Sequence, residues 1–268
     1  MRAYLSLARW PNALISAAGV LTGAWWAAGE IPPAARWAAA GALPLTAFAN
    51  AANDVADLEI DRVAHPDRPL PSGALTVTQA KRFALGSALI ALALEGVAAR
   101  ELAALTVVVL ALMLLYSRSL SAAGGLFANL LVALLASLPF YYGAIVTGFA
   151  STGMLLVLAA LPLHLARELS KDLEDATGDA GHRRTVPLAH GVRNASIVVD
   201  VATCMFLAAL GMLGARDHVL WLLALPAVAS ALLAVRAVHA RRTGAPRLFK
   251  LAMVGVLAAL VLTRLVTS

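Results

Sequence analysis

The chain has 268 residues, of which 61% are hydrophobic and 13% are charged, and its mean hydropathy is +0.81. Soluble domains carry about 25% charged residues, so this composition excludes an ordinary soluble domain and indicates a membrane protein. The net charge of +6 comes without Lys/Arg-rich runs that interleave with aromatic residues, which argues against nucleic-acid binding. The single cysteine, Cys204, excludes an internal disulfide and a cysteine-based zinc site.

Apolar segments of about 20 residues, the length that crosses roughly 30 Å of hydrocarbon, recur along the whole chain. They predict nine membrane-spanning helices, at residues 12–29, 34–56, 80–99, 101–117, 125–147, 152–174, 194–214, 217–237 and 247–266. The alternation of a membrane β-barrel is absent from the sequence, so the predicted fold is an all-α polytopic membrane protein. Because these spans leave no stretch for a soluble domain, we expect one transmembrane domain over residues 1–268.

Basic residues are divided unevenly between the two sides of this predicted bundle. With a cytoplasmic N-terminus, 17 of the 21 lysine and arginine residues fall on the cytoplasmic side and four on the other. This bias agrees with the positive-inside rule and supports the count of nine spans. We therefore predict a multi-pass protein of the cell membrane whose N-terminus and long loops are cytoplasmic.

Two acidic motifs with the same internal spacing stand out in a chain with only 15 acidic residues. The first contains Asp54, Asp57 and Asp61, which share one face if the segment is helical. The second lies 118 residues later and contains Asp172, Asp175 and Asp179. Four predicted spans separate the motifs, so both are expected on the cytoplasmic side.

Carboxylates grouped in this way indicate a site for divalent cations. Magnesium takes oxygen ligands and commonly bridges one or two carboxylates to a substrate phosphate. The candidate ligands are the six aspartates and an amide that shares the first helical face: Asn53, Asp54, Asp57, Asp61, Asp172, Asp175 and Asp179. Nearby basic residues suited to phosphate oxygens are Arg62, Arg68, Lys171, Arg183 and Arg184. In a membrane protein these features predict a lipidic diphosphate substrate, whose departing diphosphate Mg²⁺ would stabilise if the tail is allylic.

Together, these residues resemble the UbiA family of intramembrane prenyltransferases. The resemblance is carried by N-D-x-x-D-x-x-x-D (Asn53 to Asp61) with R-P-x-P-S-G (Arg68 to Gly73), and by R-E-x-x-K-D-x-E-D-x-x-G-D (Arg167 to Asp179) with T-x-P (Thr185 to Pro187). Further matches are Arg9-Trp10-Pro11-Asn12 and the Tyr116-Ser117-Arg118 that precedes Asn129. The form of the second motif is similar to that of the subgroup that makes archaeal-type ether lipids.

The resemblance implies a bundle of nine helices around a central cavity that opens to the bilayer, with Mg²⁺ held by both motifs. It assigns Asn53, Asp57 and Asp61, with their counterparts Asp172, Asp175 and Asp179, to metal binding. The residues it implies for catalysis are Asp57, Asp61, Asp175, Asp179 and Lys171. The residues it implies for the diphosphate are Asn53, Arg68 and Lys171, followed by Arg9, Asn12, Arg118 and Arg167.

The expected activity is Mg²⁺-dependent transfer of a prenyl group from an allylic polyprenyl diphosphate to a lipid acceptor within the membrane. The first expectation is geranylgeranyl transfer to the hydroxyl of geranylgeranylglyceryl phosphate, with Arg183 and Arg184 available to an anionic acceptor. An aromatic or chlorin acceptor is the alternative within the same class. A cation-coupled transporter is a distant alternative, because transporter ion sites usually lie near the bilayer midplane whereas these acids lie at helix ends.

Overall fold

The computed structural model describes residues 1–120, 124–179, 184–215 and 218–267, without the side chains of residues 120 and 177–179. All regular secondary structure within these ranges is helical, as the sequence predicts. The helices form two compact units, one of Met1–Leu21 with Ile31–Ala122 and the other of Thr22–Glu30 with Ala123–Ser268.

The first unit contains the N-terminal helices and the first acidic motif. Its elements are α1 (Arg2–Ala8), the first half of α2 (Trp10–Ala28), α3 (Pro33–Ala56), α4 (Leu58–Ala64), α5 (Val77–Ala98), α6 (Arg100–Leu115) and a π-helix (Tyr116–Leu120). Helix α3 packs most extensively against α5 and also contacts α1, α6 and the π-helix.

Small residues make the close packing of α3 and α5 possible. The face that α3 buries includes Ala38, Gly41 and Ala42, and the face that α5 buries includes Ala80 and Ala91. Small side chains let helix backbones approach closely, which is how helices associate within a bilayer. This packing supports the end of α3, where the first motif lies.

The second unit contains the C-terminal helices and the second acidic motif. Its elements are the second half of α2, then α7 (Gly125–Ser137), α8 (Pro139–Ile145), α9 (Ala150–Asp179), α10 (Val186–His190), α11 (Val192–Gly214), α12 (His218–His239) and α13 (Ala245–Thr267). Helix α9 lies at its centre, in contact with α7, α8, α10, α11 and α13. Its core includes Leu169 of α9, Val199 of α11 and Phe249 of α13, each 0% exposed.

Six helical stretches in the described ranges are long and apolar enough to cross a membrane: Arg100–Ser119, Gly125–Ile145, Ala150–Ala176, Val192–Gly214, His218–His239 and Ala245–Thr267. They correspond to the last six of the nine predicted spans. The first three predicted spans coincide with helices α2, α3 and α5, which are not among these six. Large apolar side chains such as Met212 and Leu222 are 76% and 70% exposed, as expected for a surface that faces lipid.

Candidate active site

The first acidic motif lies at a break between two helices. Helix α3 ends at Ala56 and α4 begins at Leu58, with Asp57 between them. Hydrogen bonding continues across the break, because the Asp57 amide donates to the Asn53 carbonyl and the Asp61 amide donates to the Asp57 carbonyl, both at 2.8 Å. Asp54 and Asp61 are each only 3% exposed, although they lie near a helix end. Asp57 is half-buried at the break itself.

Two arginines hold the buried carboxylates of this motif. Arg9 Nη2 donates to Asp54 Oδ1 at 2.5 Å, and Arg68 Nη1 donates to Asp61 Oδ2 at 2.6 Å. Arg68 Nη1 also lies 4.0 Å from Asp54 Oδ1. A buried carboxylate requires a positive partner, because its desolvation is otherwise costly. The sequence interpretation assigns both arginines to the diphosphate, whereas in this structure they contact the acids.

Arg9 reaches Asp54 from a tight turn between α1 and α2. The Arg9 backbone is in the left-handed region, with φ of 49°, which is uncommon for a residue other than glycine. Asn50 of α3 supports this turn, because its Nδ2 donates to the Ala8 carbonyl at 2.9 Å and its Oδ1 accepts from Arg9 Nη1 at 3.5 Å. The sequence interpretation did not select Asn50, although this residue lies one helical turn before Asn53 and so on the same face as the motif.

Arg68 is presented by the ordered loop that follows α4. The Ser72 hydroxyl donates to the Arg68 carbonyl at 2.7 Å, and the Leu75 amide donates to the Pro69 carbonyl at 2.9 Å. Leu70 and Leu75 are buried at 6% and 5% exposure, and they anchor the loop in the first unit. The R-P-x-P-S-G segment therefore fixes the position of the Arg68 guanidinium.

Asn53 is oriented by the π-helix. The Ser117 hydroxyl donates to Asn53 Oδ1 at 2.6 Å and also lies 2.9 Å from the Met113 carbonyl. Single-turn π-helices often occur at functional sites. The sequence interpretation selected the neighbouring Arg118, which is exposed here, and gave no role to Ser117.

The second motif lies on an unbroken helix. Helix α9 continues to Asp179, five residues beyond the predicted end of its span. Asn129 of α7, which is 8% exposed, donates through Nδ2 to Asp172 Oδ2 at 2.8 Å. Asp172 therefore has an oriented carboxylate. The side chain of Asp179 and all of Arg183 lie outside the described residues, so their predicted roles stay predictions.

Glu174, between the two described aspartates of this motif, contacts the beginning of α13. Its Oε1 accepts hydrogen bonds from the Gly244 and Ala245 amides at 2.5 and 3.0 Å. These amides are among the unpaired donors at a helix N-terminus, where a carboxylate is favourable. Gly244 has φ of 103°, a conformation that side chains rarely permit. The sequence interpretation quoted Glu174 within the motif without assigning it a role.

The basic residues of the second motif lie on the same helix in different surroundings. Arg167 forms an ion pair with its neighbour Glu168. Lys171 and Asp175 are half-buried further along α9. No described contact supports a role of Lys171 in catalysis, so that role stays a prediction.

An open cavity of about 610 Å³ lies beside the turn between α1 and α2. It is lined by Arg2, Leu5, Ser6, Arg9, Trp10, Pro11 and Asn12. Arg9 and Asn12, both predicted to bind diphosphate, are thus brought to one cavity of the first unit.

Within the described part of the chain, no group of three His, Cys, Asp or Glu side chains is close enough to hold a metal ion. The structure thus brings Asp54 and Asp61 to arginines and Asp172 to an asparagine. Their assignment as metal ligands remains a prediction.

The family to which the chain belongs follows from comparison with known proteins. The model of the UbiA prenyltransferase family matches residues 16–259. The chain belongs to the UbiA prenyltransferase family.

One relative and two solved structures describe this similarity further. A protein of Methanopyrus kandleri named digeranylgeranylglyceryl phosphate synthase is 37% identical over 239 residues, which cover 87% of this chain and 88% of the relative. The apo structure of a UbiA homolog from Aeropyrum pernix K1 matches with a TM-score of 0.82 at 18% identity, over 97% of this chain and 98% of that one. A UbiA homolog from Archaeoglobus fulgidus bound to GPP and Mg²⁺ matches with a TM-score of 0.74 at 18% identity, over 97% and 99% of the two chains.

These findings decide between the two classes that the sequence left open. The protein is an enzyme of the prenyltransferase class, and the transporter interpretation is set aside. At 18% identity the two solved structures establish the fold alone.

Proposed function

We propose that the enzyme transfers a geranylgeranyl group from geranylgeranyl diphosphate to the free hydroxyl of geranylgeranylglyceryl phosphate. The observation that carries this proposal is the 37% identity, over 87% of the chain, with a relative named for that product. The R-E-x-x-K-D-x-E-D form of the second motif supports the same acceptor. An aromatic or chlorin acceptor has no comparable support among the described features.

The proposed setting is one prenyltransferase domain over residues 1–268, with nine spans around a central cavity that opens to the bilayer and a cytoplasmic N-terminus. The family model matches one continuous range, which supports a single domain. Helices α2, α3 and α5 supply the three spans beyond the six that length and composition identify. The distribution of 17 against four basic residues supports the cytoplasmic placement of both motifs.

Magnesium is the proposed metal, and the residues fit it. The donors are carboxylate and amide oxygens, which Mg²⁺ prefers. The ion pairs of Arg9 with Asp54 and of Arg68 with Asp61 support this assignment, since they mark a place where positive charge stabilises buried acids. The residues that would hold Mg²⁺ are Asn53, Asp54, Asp57 and Asp61 of the first motif and Asp172, Asp175 and Asp179 of the second. When bound, Mg²⁺ neutralises the diphosphate and stabilises the charge that develops as it leaves.

The side chains of this enzyme then bind and orient the donor. Arg68 and Lys171 bind diphosphate oxygens through charge-assisted hydrogen bonds, and Asn12, Arg9, Arg118 and Arg167 are the further candidates. The bond between the allylic carbon and the diphosphate oxygen breaks, and the electron pair leaves with the diphosphate. The acceptor hydroxyl oxygen forms the new bond to that carbon, and its proton passes to the departed diphosphate. Apolar helices keep water away from the cationic carbon.

Product formation with separate acceptors tests the proposal. Purified enzyme, Mg²⁺ and radiolabelled geranylgeranyl diphosphate are incubated with geranylgeranylglyceryl phosphate, or with an aromatic or chlorin acceptor. We expect labelled digeranylgeranylglyceryl phosphate from the first acceptor, and no product when a chelator is present. Product from only an aromatic or chlorin acceptor would replace the proposed acceptor and leave the class unchanged.

A further inference from the structure

The cavity beside the turn between α1 and α2, called the α1–α2 cavity below, contains a cation that the prenyl-transfer chemistry does not use. Its volume is about 610 Å³, and its lining combines two arginines with apolar side chains and holds no aspartate or glutamate among the described residues. One of the arginines, Arg9, is engaged by the first motif, because its guanidinium is paired with Asp54. The other is Arg2, to which the sequence interpretation gave no role in a site.

The positive charge of Arg2 has no partner among the described residues. The Arg2 side chain is exposed, and no hydrogen bond or ion pair of its guanidinium is found in that part of the chain. Since Asp54 offsets the charge of Arg9, the lining of the α1–α2 cavity keeps one formal positive charge, which is that of Arg2. A guanidinium presents several N–H donors in a planar fork, which matches the oxygens of a phosphate group.

Two further polar side chains line the same cavity close to Arg2. Ser6 lies four residues after Arg2 on α1, so the two side chains share one helical face. Trp10 lies just beyond the turn, at the beginning of α2. The hydroxyl of Ser6 and the indole N–H of Trp10 are hydrogen-bond donors. The lining therefore combines a cation with neutral donors, which is the chemistry of a site for an anion.

The opposite face of α1 is fixed to the rest of the first unit. The rings of Tyr4 and Phe83 lie with their centroids 5.5 Å apart, and Leu7 is 0% exposed. Helix α1 also packs against α3. Because these contacts set the orientation of α1, the face that carries Arg2 stays directed away from the core.

Apolar side chains are exposed beside Arg2 at the level where the membrane begins. Leu5 is 48% exposed, Trp10 is 54% exposed, and Leu14, one turn further along α2, is 50% exposed. The first predicted span begins at residue 12, and the distribution of basic residues places this end on the cytoplasmic side. Tryptophan and arginine commonly occupy this level of a bilayer, with their apolar parts in the membrane and their polar parts at the head groups.

We propose that the α1–α2 cavity binds an anionic phospholipid of the cytoplasmic leaflet, with Arg2 at the lipid phosphate and with Leu5 and Trp10 against the glycerol and the adjoining acyl chains. Charge complementarity selects this occupant, since the cavity offers a cation and no described acid beside an apolar surface. A zwitterionic phospholipid carries its own cation in the head group, so it gains less from Arg2. The site goes beyond the proposed function, because this lipid is neither the donor nor the acceptor.

Native mass spectrometry of the full chain, released from nanodiscs with equal amounts of phosphatidylglycerol and phosphatidylcholine, tests the proposal. Wild type is expected to retain phosphatidylglycerol in preference to phosphatidylcholine. Arg2→Gln is expected to lower the affinity for phosphatidylglycerol about fivefold, which corresponds to about 1 kcal/mol for one basic residue near a membrane surface. Arg2→Lys is expected to retain most of the preference. Arg36→Gln, at an exposed arginine of the first unit outside the cavity, is the matched control and is expected to behave as wild type.

Quenching of tryptophan emission locates the bound lipid. The difference between the emission of wild type and that of Trp10→Phe gives the contribution of Trp10. Phosphatidylglycerol with brominated acyl chains is expected to quench this contribution more than brominated phosphatidylcholine does, and Arg2→Gln is expected to remove the difference. Trp37 is 47% exposed and lies outside the cavity, so its contribution, obtained in the same way from Trp37→Phe, is expected to show no preference between the two lipids.

Each contrary outcome overturns the proposal. Equal retention of the two lipids by wild type would do so, and so would an unchanged preference in Arg2→Gln or an equal loss in Arg36→Gln. If Arg2→Gln raises the KM of the acceptor or of the donor at constant lipid composition, the cavity belongs to that substrate and not to a phospholipid. Lipid retention is measured without turnover, so a failure of the proposed acceptor would leave this test intact.

Discussion

The Arg68 guanidinium holds the buried carboxylate of Asp61 at 2.6 Å, from a loop that begins just after the motif helix ends. Asp61 is 3% exposed, and the same guanidinium reaches within 4.0 Å of Asp54. Arg68 therefore pairs with Asp61 and also lies near Asp54, whose direct partner is Arg9. Hydrogen bonds within the loop hold Arg68 in place. The contact between Arg68 and Asp61 is therefore part of the fold of the first unit.

Replacement of Arg68 by glutamine is expected to destabilise the protein as well as to lower its activity. Loss of the guanidinium leaves Asp61 buried without its described cation, at a cost of about 1–3 kcal/mol in the free energy of unfolding. Equilibrium unfolding in mixed micelles measures this change. Arg62→Gln is the control, because its ion pair with Glu59 is exposed and contributes little. If the double variant Asp61→Asn with Arg68→Gln loses as much stability as the sum of the single variants, the two residues are not coupled.

Asp57→Ala and Asp175→Ala are each expected to abolish prenyl transfer, since each removes one proposed metal ligand. A loss of at least about 100-fold in kcat is expected while the elution volume on size exclusion stays that of wild type. Glu59→Ala provides the control within the first motif, because Glu59 is exposed and has no proposed role in the site. Wild-type turnover in both aspartate variants would contradict the assignment of the two motifs to metal binding.

Asn129→Ala is expected to raise the Mg²⁺ concentration required for half-maximal activity. Asn129 orients the Asp172 carboxylate at 2.8 Å, and loss of such an orienting partner typically costs about 10- to 100-fold in metal affinity or activity. Titration of activity with Mg²⁺ measures the change. Asn194→Ala is the comparison, since Asn194 is exposed and bonds only the His190 carbonyl among its described contacts. Identical Mg²⁺ curves for Asn129→Ala and wild type would show that Asp172 needs no orienting donor.

Ser117→Ala tests the same principle in the first motif. The hydroxyl orients Asn53 Oδ1 at 2.6 Å, so its removal is expected to raise the Mg²⁺ requirement and to lower kcat by about tenfold. The exposed Ser119 in the same π-helix is the matched position for a Ser→Ala control. Equal effects at the two serines would indicate a change in the π-helix and not in Asn53.

Glu174→Ala is expected to loosen the contact between α9 and α13. The carboxylate stabilises the N-terminus of α13 by about 0.5–1 kcal/mol at this exposed place, so the free energy of unfolding falls only slightly. Glu174→Gln retains an acceptor oxygen and is expected to lie between Glu174→Ala and wild type in its free energy of unfolding. Equilibrium unfolding in micelles measures the change, and an unfolding free energy of Glu174→Ala equal to that of wild type would contradict the stabilising contact.

The apolar segments and the two aspartate motifs could be predicted from sequence, because both are local patterns. Each of the nine spans predicted from hydropathy over about 20 residues falls on helical segments of the described chain, and six of these are long and apolar enough to cross a membrane. The spacing of Asp54 and Asp61 predicted their common environment, since helical periodicity is a property of neighbouring residues. The break at Asp57 was not predicted, and neither was the continuation of α9 to Asp179.

Only the tertiary structure decided the long-range contacts around the two motifs. Asn50 meets Ala8 across 42 residues, Ser117 meets Asn53 across 64, and Glu174 meets Gly244 across 70. No local pattern encodes these contacts, because they depend on which helix faces pack together and in what register. The sequence by itself determined the class of protein and predicted the chemistry of its motifs. Helix packing decided which side chains orient those motifs, because a contact such as Ser117 with Asn53 exists only once distant helices meet.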